Sequence, residues 1–461
     1  MSEDNSNKGE NSNIDIILGD SHVAIRRLAW PMMVSMLLVM LYNLADSVWV
    51  AGLGADSLAA IGFVTPVFMI VIGLGNGVGA GANSLIARFI GARDFESANN
   101  AALHSILISV ILSVVFAVFF AFALPSLLDL MGAGSAKSLA LTYGYIVFIL
   151  NFVFVFNGVF TAILRSEGDV NRAMYVTAIT AVLNIFLDPV FIYVFGWGIS
   201  GAAWATVVSC LVSCIVIAYW MWVKKDTYLD LNFGGFHYDS SIFRGILNVA
   251  VPSTAENLIF SILGIVENYL LVMVAGTLSV AVYTAGMRLI QMAMIPLIGL
   301  GTAALTVIGA AYGEKNIEKL DDAFMYTLKL GVLISIVMMV IFYVFAPQIS
   351  YIFSYSSASS VMAPKITELL RIIFVFIIAA TFGMIPAMMF HGVGKGFTSL
   401  LLTMCRALIF EICFSYLFGV VFALGDVGVY LGVSVGGCVG GVISFVVARL
   451  YIRSLKRKFL A

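Results

Sequence analysis

Charge is the scarcest ingredient of this sequence: Asp, Glu, Lys and Arg make up 11% of its 461 residues, hydrophobic residues 62%, and mean hydropathy is +1.06. A soluble domain carries about a quarter charged residues. Too few charges remain here to cover a water-facing surface, so the chain reads as integral to a membrane. The net charge of −1 offers no basic face to nucleic acid. The four histidines, His22, His104, His237 and His391, have no His-Glu-x-x-His spacing, and no Gly-x-Ser-x-Gly elbow is present; both absences argue against hydrolase chemistry. The five cysteines, Cys210, Cys214, Cys405, Cys413 and Cys438, lie in apolar stretches without zinc-like or disulfide spacing and read as small buried hydrophobes. Alternating ten-residue segments are also missing, which excludes an outer-membrane barrel.

Apolar runs of helix length are what the chain has in quantity. Spans are expected near 24–52, 58–87, 98–124, 138–164, 171–195, 200–223, 242–275, 279–311, 320–346, 361–390, 396–423 and 427–450, each near or above the roughly 20 residues that cross a bilayer core. The first run follows Arg26 and Arg27 and is longer than a signal segment, so it is expected to stay as a helix. Residues 1–20 are expected to form a disordered cytoplasmic tail. After them come an N-lobe of helices 1–6 over 21–223, a cytoplasmic linker over 224–241, a C-lobe of helices 7–12 over 242–453 and a basic cytoplasmic tail over 454–461. Arg88, Arg93, Arg165, Arg172, Lys224, Lys225, Arg244, Lys315, Lys319 and Lys395 then fall on the same side as both termini, while the other side holds little beyond Lys137 and Lys365. That bias puts both termini in the cytoplasm of a cell-membrane protein.

The halves resemble each other. An offset of 221 carries Pro31 onto Pro252 and Asp46 onto Glu267, and an offset of 227 carries Gly198–Gly201 onto Gly425–Gly428 and Asn184 onto Glu411. Each half has an even number of spans, so both copies enter from the same side. The fold class is therefore an all-α polytopic membrane protein, twelve transmembrane helices in two six-helix lobes related by a pseudo-two-fold axis along the membrane normal.

Charged side chains inside a span are costly and usually functional or paired. Asp46, Asp188, Glu256, Glu267, Arg288, Arg406 and Glu411 are the ones to explain. Counting residues from the outer ends of their spans places Asp46, Asp188, Thr206 and Tyr143 in one layer, roughly 8 to 11 Å below the outer boundary. Asn184 lies four residues before Asp188 and shares its helix face, and Pro189 should loosen a carbonyl near Ile185. Two carboxylates, a carboxamide and a hydroxyl suit Na⁺ as oxygen ligands and suit a proton equally, because neighbouring carboxylates raise one another's affinity for it. A local role, with Asp46 bonding its own helix and Asp188 bracing the proline, is the structural alternative. Glu267 is expected within reach of Arg288. Arg406 and Glu411, five apart, are expected on different faces, with Arg406 turned to Glu256. Tyr143, Asn157, Glu256, Glu267 and Glu411 are the candidates for a substrate cleft. The run Gly73–Gly81 lies within a span and lacks a following Gly-Lys-Ser/Thr, so it reads as close helix packing rather than a phosphate loop, and nucleotide-driven pumping by this chain is excluded.

Several stretches together resemble the multidrug and toxic compound extrusion family of the multidrug/oligosaccharidyl-lipid/polysaccharide flippase superfamily. They are Tyr42-Asn43-Leu44-Ala45-Asp46, Gly52-Leu53-Gly54 with Leu58-Ala59-Ala60-Ile61-Gly62, Leu164-Arg165-Ser166-Glu167-Gly168-Asp169, Leu183-Asn184-Ile185-Phe186-Leu187-Asp188-Pro189, and Gly198-Ile199-Ser200-Gly201 running on to Thr206. The resemblance implies a secondary antiporter, not an enzyme, that expels small amphipathic, cationic compounds in exchange for Na⁺ or H⁺ from a V-shaped pair of lobes. It implies no cofactor beyond the coupling ion, and a monomer in the lipid bilayer is the expectation. Asp46, Asn184, Asp188 and Thr206 match the family's N-lobe cation positions, which would be the metal ligands if Na⁺ is the ion, and Tyr143 looks like a cleft tyrosine. A flippase for lipid-linked precursors or polysaccharide is the alternative of the same superfamily; the excess of inward acids over Arg288 and Arg406 favours cationic cargo. A channel or receptor is the reading from another class, and the chain has no sizeable soluble domain to support one.

Overall fold

The computed structural model describes residues 12–351 and 362–460, and all regular structure among them is helical. Eleven helices among the described residues are long and apolar enough to cross a membrane, and a pair bent by 44° makes a twelfth, as the hydropathy pattern requires. The chain forms two compact units, Met1–Thr254 and Ala255–Ala461.

The first unit contains α1 (Ser12–Leu18), α2 (Ser21–Ala51), α3 (Ala55–Gly91), α4 (Phe95–Leu130), α5 (Lys137–Ile149), α6 (Phe152–Ser166), α7 (Val170–Pro189), α8 (Ile199–Ala218) and the start of α9 (Ser240–Ala275). The rest of α9, α10 (Thr277–Gly313), α11 (Ile317–Val344), α12 (Ala346–Tyr351), α13 (Met362–Gly392), α14 (Gly396–Met404), α15 (Ile412–Tyr416) and α16 (Gly425–Leu460) make the second. The expected start of the tenth span, residue 361, lies outside the described residues.

Helix ends follow one plan in both units. Asp20, Asp94, Asp169 and Asn316 cap α2, α4, α7 and α11, each accepting from the backbone N–H three residues on, which satisfies donors that the first turn leaves free. The other ends turn tightly through Gly54, Gly198, Gly276 and Gly425, all at positive φ, a conformation that glycine adopts without penalty. The loops repeat as well: Arg93 and Lys315 share φ 58°, and Gly168 and Gly394 share φ 78°. Duplication is therefore visible in the backbone as well as in the sequence offsets.

Glycines set the packing of the first unit. A Cβ on Gly79 would sit 3.1 Å from the Gly158 carbonyl oxygen and from the Ala162 Cβ, and one on Gly81 would come within 2.5 Å of the Ile246 carbonyl oxygen. The glycine run of α3 thus brings α6 and the start of α9 to near backbone contact, as small residues do in membranes. The break between α5 and α6 has a local cause. Buried Asn151 donates through Nδ2 to the Phe148 carbonyl at 2.7 Å and the Ser113 carbonyl at 3.0 Å, so a side chain competes for the carbonyls a straight helix would use. Cys210 and Cys214 are buried, whereas Cys413 is exposed.

The expectation of a disordered tail over 1–20 fails at residues 12–18, which form α1; residues 1–11 lie outside the described residues. Ile14 and Ile17 are buried, and any side chain at Gly168 would strike the Asn13 carbonyl oxygen. Two isoleucines one turn apart supply the apolar face that a purely compositional reading overlooks. The linker is also tied down. Asp230 N–H donates to Asn99 Oδ1, Asn100 Nδ2 to the His237 carbonyl, Asp239 N–H to His104 Nε2, and Tyr228 N–H to Glu167 Oε2 at 2.8 Å. Glu167 is 2% exposed; burial chiefly pushes its carboxyl up to about 8, the backbone bonds and Arg172 opposing.

The folded chain holds this proton more tightly than the unfolded chain would. The term therefore stabilises the fold at low pH and is lost as pH rises through about 8. Between pH 6 and pH 9 the wild-type melting temperature should fall by a few °C, the shift of roughly 2–3 kcal/mol at this size. Glu167→Gln, which still accepts from Tyr228 and cannot ionise, should fall less in differential scanning fluorimetry; equal falls would contradict the assignment.

Candidate functional site

In the first unit α2, α5, α7 and α8 bring the predicted polar layer together. Asn184 and Asp188 project from one face of α7 and are 1% and 0% exposed. Asn184 Nδ2 donates to Asp188 Oδ1 at 3.4 Å and to Thr206 Oγ1 at 3.3 Å. Thr206 itself donates to the Ala202 carbonyl, so its lone pairs remain directed at the group. The carboxyls of Asp46 and Asp188 are near enough to act on each other electrostatically, and both act on the buried Tyr143 hydroxyl. Three oxygens, Asp46 Oδ1, Asn184 Oδ1 and Asp188 Oδ2, are buried with no hydrogen-bond partner. Unpaired acceptors inside a membrane protein are costly, and a proton or a monovalent cation is what such a set can accept. Among the described residues, no three His, Cys, Asp or Glu side chains gather as a metal cluster. α7 stays α-helical through Pro189, and the widened turn comes after it, as a π-helix over Val190–Val194, instead of at Ile185.

Beside this group lies a cavity of about 220 Å³ lined by Met32, Met36, Tyr42, Asn157, Thr161 and Arg165 among others. Asn157, predicted for the cleft, is on its wall. Tyr42 connects cavity and carboxyls, because its hydroxyl feels Asp46 one turn further along α2. The spacing of four residues was the signal for Tyr42; the cavity itself depends on how five helices meet and has no local signature.

The second unit departs from expectation at each acid. Glu256 Oε1 accepts from Ser399 Oγ at 2.6 Å and lies 3.2 Å from His391 Nε2; it does not meet Arg406. Glu267 accepts from the Tyr283 hydroxyl, and among the described residues Arg288 has no carboxylate partner. Arg406 Nη1 instead donates to Glu411 Oε1 at 2.8 Å, both side chains being buried, while the guanidinium also lies over the Phe260 ring. Residues five apart meet because Cys405–Glu411 is a π-helix, whose i to i+5 bonding widens the turn. An α-helical wheel puts them on different faces, and no sequence feature announced the change of period.

Removing one member of the Arg406–Glu411 pair leaves an uncompensated buried charge, at about 3–5 kcal/mol, whereas replacing both by apolar residues is often neutral. Glu411→Leu should therefore lower the unfolding midpoint strongly and Arg406→Met/Glu411→Leu should restore most of it. Additive losses in thermal or denaturant unfolding would show that the two do not act as a pair.

Comparison with known proteins places these features among relatives. The MatE family model matches residues 31–190 and 252–417. A probable multidrug resistance protein NorM of Thermotoga maritima is 26% identical over 338 residues, covering 71% of each chain. An FAD transporter of Shewanella oneidensis is 24% identical over 393 residues, covering 82% of this chain and 83% of its own. Among solved structures, the outward-facing conformation of a multidrug resistance transporter of the MATE family and MOP superfamily superposes with a TM-score of 0.93 at 42% identity, over 96% of this chain and 98% of that one.

Proposed function

Since this chain belongs to the MatE family, the multidrug and toxic compound extrusion transporters, we propose that it is a secondary antiporter expelling small amphipathic compounds in exchange for Na⁺ or H⁺ bound at Asp46, Asn184, Asp188 and Thr206. The observation that carries the reading is the set of three orphaned oxygens on Asp46, Asn184 and Asp188. A cation there cancels the excess negative charge and draws α2 toward α7. α2 contains Pro31, which removes one helix hydrogen bond and lowers the cost of bending. Occupied and empty sites thus favour different packings of α2.

The cavity with Asn157 and Tyr42 on its wall is the cargo chamber, and Tyr143 lies within electrostatic reach of Tyr42 and both carboxyls. Cationic cargo is supported first by Asp46 and Asp188, which share one group without an ion pair among the described residues; Glu411 is offset by Arg406, while Glu256 and Glu267 bond hydroxyls within their own unit. The names of the relatives span multidrug resistance and FAD transport, which supports a chamber selecting amphipathic character more than one sign of charge. Coupling follows if cation and cargo each bind one packing of α2 better than the other; equal affinity for both would move nothing. The Lys and Arg distribution supports a multi-pass cell-membrane protein with both termini cytoplasmic; the family reading adds a monomer that needs no cofactor.

Asp188→Asn should abolish gradient-driven efflux of ethidium while the protein still reaches the membrane; undiminished efflux would remove Asp188 from the coupling site. In proteoliposomes, drive by an imposed Na⁺ gradient without a pH difference, or by the reverse, identifies the ion.

A further inference from the structure

The cavity of the first unit carries a charge that the cation site does not explain. No Asp or Glu lines it, and Arg165 is its one charged lining residue among those described. Arg165 sits one residue before the end of α6. Its Nε donates to the Thr161 carbonyl at 3.2 Å, which orients the guanidinium and leaves Nη1 and Nη2 without a partner among the described residues. Nearby acids are engaged elsewhere. Asp169 accepts from the Arg172 amide at 3.2 Å and lies 3.4 Å from its Nε, Asp226 lies 2.7 Å from Arg172 Nη2, and Glu167 accepts from Tyr228. The hydroxyls of Ser35, Thr161 and Thr177 all donate to carbonyls one turn back on their own helices, so they face the cavity as acceptors. The guanidinium is thus its one charged donor, beside the unpartnered Asn157 Nδ2, and a guanidinium fork matches phosphate or carboxylate oxygens in pairs.

We propose that this end of the cavity is an anion-binding subsite in which Arg165 holds the phosphate or carboxylate head of an amphiphile, with the apolar part lying on Met32, Met36, Val39, Ile72 and Phe154. At about 220 Å³ the cavity is below the roughly 300–1,000 Å³ of sites that enclose a whole drug-sized ligand, so it holds the head and the segment next to it. Tyr42, close to Asp46, lines the same cavity. A basic group and an acidic neighbourhood therefore bound one chamber, and a zwitterionic cargo can satisfy both. The subsite extends the chamber reading given above in its consequence for cargo, while binding itself stands apart from coupling.

The test is native mass spectrometry of the full-length protein in a neutral detergent, titrated with inorganic phosphate, dihexanoyl-phosphatidylglycerol, decanoate and, as the cationic control, decyltrimethylammonium. The wild type should take up one phosphatidylglycerol or one decanoate. Arg165→Gln should weaken that binding about 10- to 100-fold, the span of a charge-assisted ion pair, with Arg165→Lys intermediate and the cationic control unchanged. Met36→Trp, which fills the cavity and keeps Arg165, should also lose the anion, and it decides the question with Arg165→Lys if Arg165→Gln does not fold. Binding of the phospholipid alone upholds the subsite with a lipid as its source, and binding of decanoate upholds it with a free amphiphilic anion. Equal affinity in wild type and Arg165→Gln, unchanged binding in Met36→Trp, or uptake of inorganic phosphate only would overturn it, leaving Arg165 as a partner of the α6 C-terminal dipole. Asp188→Asn should keep its anion, so failure of the coupling reading and failure of this one give different results.

Discussion

Hydrocarbon does not solvate polar groups, and the architecture of this chain follows from that one constraint. Backbone amides in the bilayer must be satisfied within their own segment, which leaves helices for a chain with this hydropathy. The same cost falls on side chains. Ser and Thr hydroxyls throughout the spans bond the carbonyl one turn back, and an acid or base that enters the interior has to find a partner or hold a ligand. Buried polar groups therefore divide into those whose partners are built in and those left for something that binds.

The duplicated units differ in how far their acids are offset by charge in place. Their capping residues, glycine turns and loop conformations match, yet Asp46 corresponds to Glu267 and Asn184 to Glu411. In the second unit Tyr283 and Arg406 each meet one oxygen of those acids, leaving Glu267 Oε1 and Glu411 Oε2 unpaired, and the guanidinium charge offsets one carboxylate in place. In the first unit Asp46, Asn184 and Asp188 retain three unpartnered oxygens and make no ion pair among the described residues, and Arg165 opens on a cavity without an acid. One copy holds a buried ion pair where the other holds acids without a cationic partner among the described residues, so a common backbone supports different side-chain chemistry in each half.

Distortions of the α-helix contribute to the difference. Asn151 breaks one span by competing for carbonyls, and the π-helix at Cys405–Glu411 rotates two charges onto one face. Each changes which side chains meet by only a residue or so in register. Inside a membrane that is enough to turn a predicted mismatch into an ion pair.

Span number, helix type and the grouping of Asp46, Asp188, Thr206 and Tyr143 were legible in the residue order, because helix rise is constant and apolar runs record where water is excluded. Asn184 and Asp188 meet as an i, i+4 pair must. The partners of Glu256, Glu267 and Glu411, the helix over residues 12–18 and the cavity around Arg165 were not legible. His391 and Ser399 lie 135 and 143 residues from Glu256, the Arg406–Glu411 contact needs a turn of altered period, and α1 is held by what it packs against. By itself the sequence determined which groups had to be accounted for in a solvent that tolerates none unpaired. Only the tertiary structure decided which of them pair with each other and which remain open, since that depends on how helices distant in the chain, and irregular within themselves, come into contact.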